Sequence, residues 1–147
     1  MTTPDKAPPP PPKRPRPKLD DDNRAFWTGG AEGRLNMLKC GDCGQFTHPP
    51  RQICRHCQAE NMVVTPVAGT GTIDTCVVNY QAWMPGLEVP FVIARVRLDG
   101  VPDVVLTTNI VNCDPESVDF EDRVKVTFDE QDGIWFPVFE PLNEKAA

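Results

Sequence analysis

Cys40-Gly41-Asp42-Cys43 and, ten residues further on, Cys54-Arg55-His56-Cys57 decide how the first half of this chain is built. In each pair a two-residue gap lets both sulfurs reach one ion from a tight turn. Two such knuckles make a tetrahedral tetrathiolate site, for which zinc is the usual metal. With four thiolates as ligands no position stays open for water or substrate, so the site cross-links a fold and does not activate a reactant. Iron is the rival occupant, in a redox rubredoxin. There a Gly typically follows both knuckles, whereas here Gly44 follows the first and Gln58 the second. His56, inside the second knuckle, reads as a surface group beside four better-placed thiolates.

Phe46, Pro49, Pro50 and Ile53 between the knuckles supply a minimal apolar shell. It is too small to stand alone, so the metal is expected to provide much of its folding energy. Gly33 to Lys39 reads as a strand entering the first knuckle, with Leu35 and Met37 alternating against polar neighbours. Before it, Asp20-Asp21-Asp22-Asn23 reads as the capped, acidic start of a short helix through Phe26 and Trp27 that stops at Gly29-Gly30. Adjacent aromatics cannot share one helix face. Phe26 and Trp27 are therefore either core packing or a partner surface.

Past the second knuckle the pattern turns to β from Val63. Thr72 to Tyr80 is a long β-branched run, and Phe91 to Leu98 alternates with Val92, Ala94, Val96 and Leu98 on one face. Asp99-Gly100 is a tight-turn dipeptide that makes Val104 to Val111 the hairpin partner. Arg123 to Phe128 alternates again, and Asp132-Gly133 turns it into Ile134 to Phe139. Five strands with a longer connection, Asn112 to Asp122, before the fourth predict a small closed Greek-key barrel of the OB type. The expected organisation is a mainly β protein: a disordered Pro-rich basic tail over 1–19, helix and zinc ribbon over 20–62, the barrel over 63–142 and a short tail over 143–147.

The formal net charge of -6 is unevenly spread. Residues 1 to 19 carry +4 and the remainder -10, and a divalent ion held by four thiolates lowers that by two more. An acidic body disfavours phosphate-backbone binding as the main task. Eight of the 17 prolines fall before Lys18, in a stretch that reads as a solvated tail or, alternatively, as a docking arm for an aromatic groove or an acidic partner. No run approaches the roughly 18 apolar residues of a membrane span, and the N-terminus lacks the apolar segment of a secretory signal. A cytoplasmic protein is the expectation, and paired knuckles there read as metal ligands before disulfides. Cys76 and Cys113 read as inert small residues.

The order Phe26-Trp27-x-Gly29, Gly33-Arg34-Leu35, Cys40-x-x-Cys43-Gly44, Pro49-Pro50-Arg51, Cys54-x-x-Cys57 and then a barrel closely resembles the acyl-CoA-associated OB-fold family with an N-terminal rubredoxin-like zinc ribbon. The resemblance covers about residues 20 to 142. Two positions depart from its pattern: His48 stands where an aromatic usually precedes Pro-Pro-Arg, and no Pro follows the first Cys of the second knuckle. The resemblance implies a non-catalytic accessory subunit that binds a thiolase-like enzyme, with the catalytic residues on the partner. A prominent subgroup is similar to steroid side-chain aldolase complexes, which implies a retro-aldol lyase acting on a CoA thioester and a heterotetramer around a thiolase-type dimer. An acyltransferase complex and a nucleic-acid-binding ribbon and barrel are the alternatives.

Four groups of residues become candidate contacts with a partner or with CoA: Phe26 and Trp27; Arg51 beside the rigid Pro49-Pro50; Trp83 on the loop before Pro85-Gly86; and Arg95 and Arg97 on one face of the second barrel strand. Guanidinium groups suit CoA phosphates, although a salt-bridged outer face explains the last pair equally. An exposed Trp on such a loop is either an interface contact or a cap folded over the barrel mouth. The metal ligands are Cys40, Cys43, Cys54 and Cys57, and no catalytic residue is assigned.

Overall fold

In the computed structural model, which describes residues 14–142, the strand entering the first knuckle is β1, Leu35–Cys40. It is flanked on one side by the two-residue β2, Phe46–Thr47, and on the other by β3, Met62–Val67, in an antiparallel three-stranded sheet of order β2-β1-β3. Leu35 pairs with Val67 and Cys40 with Met62. Met62–Val67 hydrogen-bonds to β1 of the ribbon, and the first strand of the closed barrel starts at Thr70. Expectations for 1–13 and 143–147 fall outside the described residues.

Five strands close the barrel: β4 (Thr70–Asn79), β5 (Phe91–Leu98), β6 (Val105–Ile110), β7 (Arg123–Gln131) and β8 (Ile134–Pro141). Their order around it is β4-β5-β6-β8-β7, with β4 returning to β7 through the pair Thr70 and Lys125. This is the OB-fold order, in which the third and fifth strands run parallel; here Ile110 meets Phe139. The period-2 pattern of β5 is obeyed: Val92, Ala94, Val96 and Leu98 are buried and Ile93, Arg95 and Arg97 are exposed. A bulge in β4 between Ile73 and Thr75 leaves Asp74 outside the regular pairing, which increases local twist as barrel closure requires. The β7–β8 hairpin turns at Asp132 (φ 52°) and Gly133 (φ 82°), both left-handed as a two-residue hairpin demands.

The helix α1, Arg24–Thr28, runs into a 3-10 turn over Gly29–Glu32. Asp20 initiates it, its side chain accepting from the amides of Asp22 and Asn23 at 2.9 Å each. The glycines that follow do more than stop the helix. A Cβ on Gly30 would lie 2.5 Å from Trp135 Cβ and 2.6 Å from Phe128 Cδ1, so only hydrogen lets this turn rest on the β7–β8 hairpin. Helix, ribbon and barrel consequently share one core, in which Phe26, Leu35, Met37 and Phe46 pack in the same cluster as Ile73, Val92 and Phe139.

The tail was expected to be disordered to residue 19. Its last part instead lies along the barrel: Arg14 N donates to Gln131 Oε1 at 2.8 Å, Gln131 Nε2 donates to Arg14 O at 2.9 Å, and Arg16 reaches Asp132 O at 3.1 Å. One amide side chain thus satisfies both main-chain groups of Arg14, much as a neighbouring strand would. Among the described residues no helix is long and apolar enough to cross a membrane.

Candidate metal centre and the clefts around it

Both knuckles are the same turn. Gly44 N donates to Cys40 O at 3.0 Å and Gln58 N to Cys54 O at 2.9 Å. Each amide belongs to a residue of positive φ, 77° at Gly44 and 64° at Gln58, so Gln58 adopts without help the left-handed conformation that Gly44 takes freely. The four sulfurs of Cys40, Cys43, Cys54 and Cys57 lie within 4.8 Å of one another. Across the knuckles, Cys40 to Cys57 is 3.6 Å and Cys43 to Cys54 is 3.5 Å. A tetrahedron with zinc–sulfur bonds of about 2.3 Å has edges of about 3.8 Å, so the cluster matches the ion.

Cys54 is fully buried and its thiol is held down, to about 6, chiefly by the amide of Cys57 and, against burial, by that of His56. At Cys43 the Gln45 amide pulls downward, but burial and the sulfurs of Cys54, Cys57 and Cys40 outweigh it and push the thiol to about 12. Four thiolates so close repel one another until a divalent cation neutralises them. When bound, zinc supplies a closed cross-link between β1 and the knuckles. His56 stays out of the cluster, exposed, its Nε2 accepting from Arg55 Nε at 3.3 Å.

A cleft of about 600 Å³ lies between α1, the residues after β2 and the outer surface of β6 and β8. Trp27, Phe136 and His48 give it aromatic walls, while Arg51 and Lys18 add positive charge at its rim. Arg14 roofs it, its guanidinium 5.6 Å from the Phe136 ring centre and bonded to Asn109 Oδ1 at 3.0 Å and Asp129 Oδ2 at 3.2 Å. Burial lowers the pKa of His48, whose Nδ1 lacks a hydrogen-bond partner and whose ring lies 5.1 Å from that of Phe26.

The structure separates the residues grouped by sequence. Phe26, only 5% exposed, is core, and Trp27 stacks edge-on against Phe136 at 5.4 Å. The five-residue helix packs between ribbon and barrel, with Phe26 against His48 and the half-buried Trp27 against Phe136. Arg97 is bound to Asp74 at 3.5 Å and Glu121 at 3.0 Å and is not among the residues lining the cleft, nor is Arg95. Arg95, like Arg97, is exposed. Arg51 does line the cleft. Trp83 is 73% exposed at the edge of a second groove, its Nε1 donating to Asn79 Oδ1 at 3.1 Å. Sequence reasoning missed Arg14, Lys18 and His48 as cleft residues, because only tertiary packing brings the strap and the β2 exit together.

Comparison with known proteins follows this division. A family model described as ChsH2, rubredoxin-like zinc ribbon domain, matches residues 27–63, and one described as ChsH2, C-terminal OB-fold domain, matches residues 64–129. The chain is 32% identical over 96 residues to a DUF35 domain-containing scaffold protein of Methanothermobacter thermautotrophicus, covering 64% of this chain and 71% of that protein. It is 29% identical over 113 residues (77% of this chain) to the 3-oxo-4,17-pregnadiene-20-carboxyl-CoA hydratase alpha subunit of Mycobacterium tuberculosis. It is also 34% identical over 130 residues (87% of this chain) to a probable enoyl-CoA hydratase alpha subunit of Thermomonospora curvata, and it spans only 35% of the mycobacterial subunit's length and 40% of this one's. A solved structure titled Ltp2-ChsH2(DUF35) aldolase superposes with TM-score 0.74 at 31% identity, over 86% of this chain and 98% of that one. A rubredoxin-like zinc ribbon joined to a five-stranded OB barrel, matched in both halves, makes this chain a member of the ChsH2-type DUF35 family.

Proposed function

We propose that this chain is a non-catalytic accessory subunit of a thiolase-like acyl-CoA enzyme, a retro-aldol lyase acting on a steroid side-chain CoA thioester. The observation that carries the reading is the match to the ChsH2(DUF35) chain of an aldolase over 98% of that chain's length. In this role the zinc ribbon is a rigid docking module and the catalytic residues belong to the partner, two accessory chains flanking a thiolase-type dimer. Exposed apolar side chains on the ribbon, Ile53, Val63 and Val64, suit a surface that a partner covers. The cleft bearing Arg51 and Lys18 over aromatic walls suits contact with the phosphates and flat base of CoA.

A second reading, a subunit of an acyl-CoA hydratase, is favoured by the name of the mycobacterial relative. Co-expression separates the two. The chain is expected to co-purify with a thiolase-like protein encoded beside it, and the complex to cleave β-hydroxyacyl-CoA thioesters by retro-aldol reaction. Failure to co-purify, with the thiolase-like protein stable and active alone, removes the accessory role. Hydration of an enoyl-CoA by a complex with a hydratase-type subunit, without aldol cleavage, supports the second reading.

A further inference from the structure

We propose that the open edge of β3 receives a strand from a partner protein, extending the ribbon sheet along a groove whose charge selects a segment flanked by lysine or arginine. In the order β2-β1-β3, β3 is an outer strand, with β1 on one side and no strand on the other among the described residues. Pro66 fixes which of its main-chain groups face outward. Having no N–H, it can stand opposite Asn36 only as a non-hydrogen-bonded pair. The alternation of an antiparallel ladder then turns the main-chain groups of Val63, Thr65 and Val67 toward β1, and those of Met62 and Val64 away from it. Met62 and Val64 thus present an outward row of donors and acceptors, which is what strand addition uses.

The side chains of the same two residues line a groove of about 680 Å³ together with Leu38 and Ile53, so an added strand would also bury apolar surface. Val64 and Ile53 are exposed in the free chain. Asp21, Asp22 and Glu60 border this groove, and Arg51 is the one cation among the described residues that line it. Asp22 Oδ1 is buried without a hydrogen-bond partner among the described residues. A carboxylate oxygen left in that state calls for a donor, and a charged one makes the strongest bond. Cys40, opposite Met62 in the ladder, belongs to the tetrathiolate, which stays negative with zinc bound and deepens the field at this edge. These charges choose the occupant. A second copy pairing β3 with β3 about a twofold axis would bring like carboxylates together, whereas an apolar strand with basic flanks satisfies both edge and rim. Assigning that strand to an enzyme subunit rests on the accessory reading.

The test needs no enzyme subunit. The probe is a synthetic peptide, Lys-Lys-Val-Thr-Val-Thr-Val-Thr-Lys-Lys, with a control in which every Lys is Glu. Each is added to the isotope-labelled, zinc-loaded full chain and followed by NMR. The lysine peptide is expected to shift the Met62 and Val64 amides and to slow hydrogen exchange at Val64 about tenfold, leaving Thr65, already bonded to β1, unchanged. Val64→Pro removes an outward N–H in the same phase as Pro66, so the ladder to β1 is kept while the Met62 shift is lost. Asp21→Asn/Asp22→Asn/Glu60→Gln leaves the backbone edge intact and should abolish the preference for the lysine peptide over the glutamate one. Met62 and Val64 amides unmoved by the lysine peptide, or moved equally by both peptides, would overturn the proposal. Protection at Val64 that rises with chain concentration alone would also overturn it, because the occupant would then be a second copy. Failure of the wild-type chain to co-purify with a thiolase-like protein removes the accessory role without touching the peptide result. Co-purification undiminished by Val64→Pro overturns the assignment of this edge to that partner.

Discussion

Gly30→Ala tests how the helix and ribbon are seated on the barrel. Ordinary carbon contacts lie at about 3.5–4.0 Å. The added methyl would instead stand 2.5 Å from Trp135 Cβ and 2.6 and 2.7 Å from Phe128 Cδ1 and Cγ. Trp135 Cβ is fixed to its backbone, so no rotamer change moves it away. The 3-10 turn must lift by about 1 Å, loosening Trp27 from Phe136. Overpacking of this size costs about 1–3 kcal/mol. For a chain of this length each kcal/mol shifts the melting temperature by about 3–5 °C, giving a loss of about 3–15 °C. Thermal unfolding followed by near-ultraviolet circular dichroism reads it, because Trp27 and Trp135 flank the contact. Glu32→Ala, on the exposed side of the same turn, is the control and should stay within about 0.5 kcal/mol of wild type. A Gly30→Ala chain that melts and absorbs like wild type would refute this seating.

The metal cluster predicts one zinc per chain. Cys54→Ser should lose it, and stripping the ion with a chelator should lower the melting transition of the whole unit, since Met37 and Phe46 share the barrel's core; an unchanged transition in metal-stripped protein would count against a structural role. Gln58→Gly should stabilise the chain by up to about 1 kcal/mol, because it relieves a left-handed conformation that Gly adopts without strain; a lower denaturation midpoint would contradict that. Asp99, hydrogen-bonded first by Arg123 and then by Thr70, has its pKa pulled from 3.8 to about 2. Between those values the unfolded chain binds more protons than the folded one, so the stabilisation is complete above about pH 4 and lost as pH falls through about 2. The melting temperature of wild type should exceed that of Asp99→Asn near neutrality and converge on it through this window; a gap that persists at about pH 2 would assign the effect to packing.

What could be read from sequence was what depends on local pattern. The four cysteines declare themselves because each pair sits within one turn, and β5 because Val92 through Leu98 alternate with no ambiguity of face. Met62–Val67 was harder: Val63 and Val64 are both exposed, so its period gives no inward direction, and its partner β1 lies more than twenty residues away. Gly29-Gly30 was legible as a helix stop but not as a point of close approach, which only the presence of Trp135 and Phe128 beneath it defines. The placement of Phe26 followed from that approach. The cleft was invisible for the same reason, since Arg14, Arg51 and Phe136 meet there from three separated segments.

The proposed accessory role is tested most directly by the mass of the species formed when the tagged full chain is co-expressed with a thiolase-like protein. The account predicts a single species containing two copies of each protein, with retro-aldol activity toward a β-hydroxyacyl-CoA. A chain that elutes alone, beside a thiolase-like protein that is soluble and fully active without it, would contradict it.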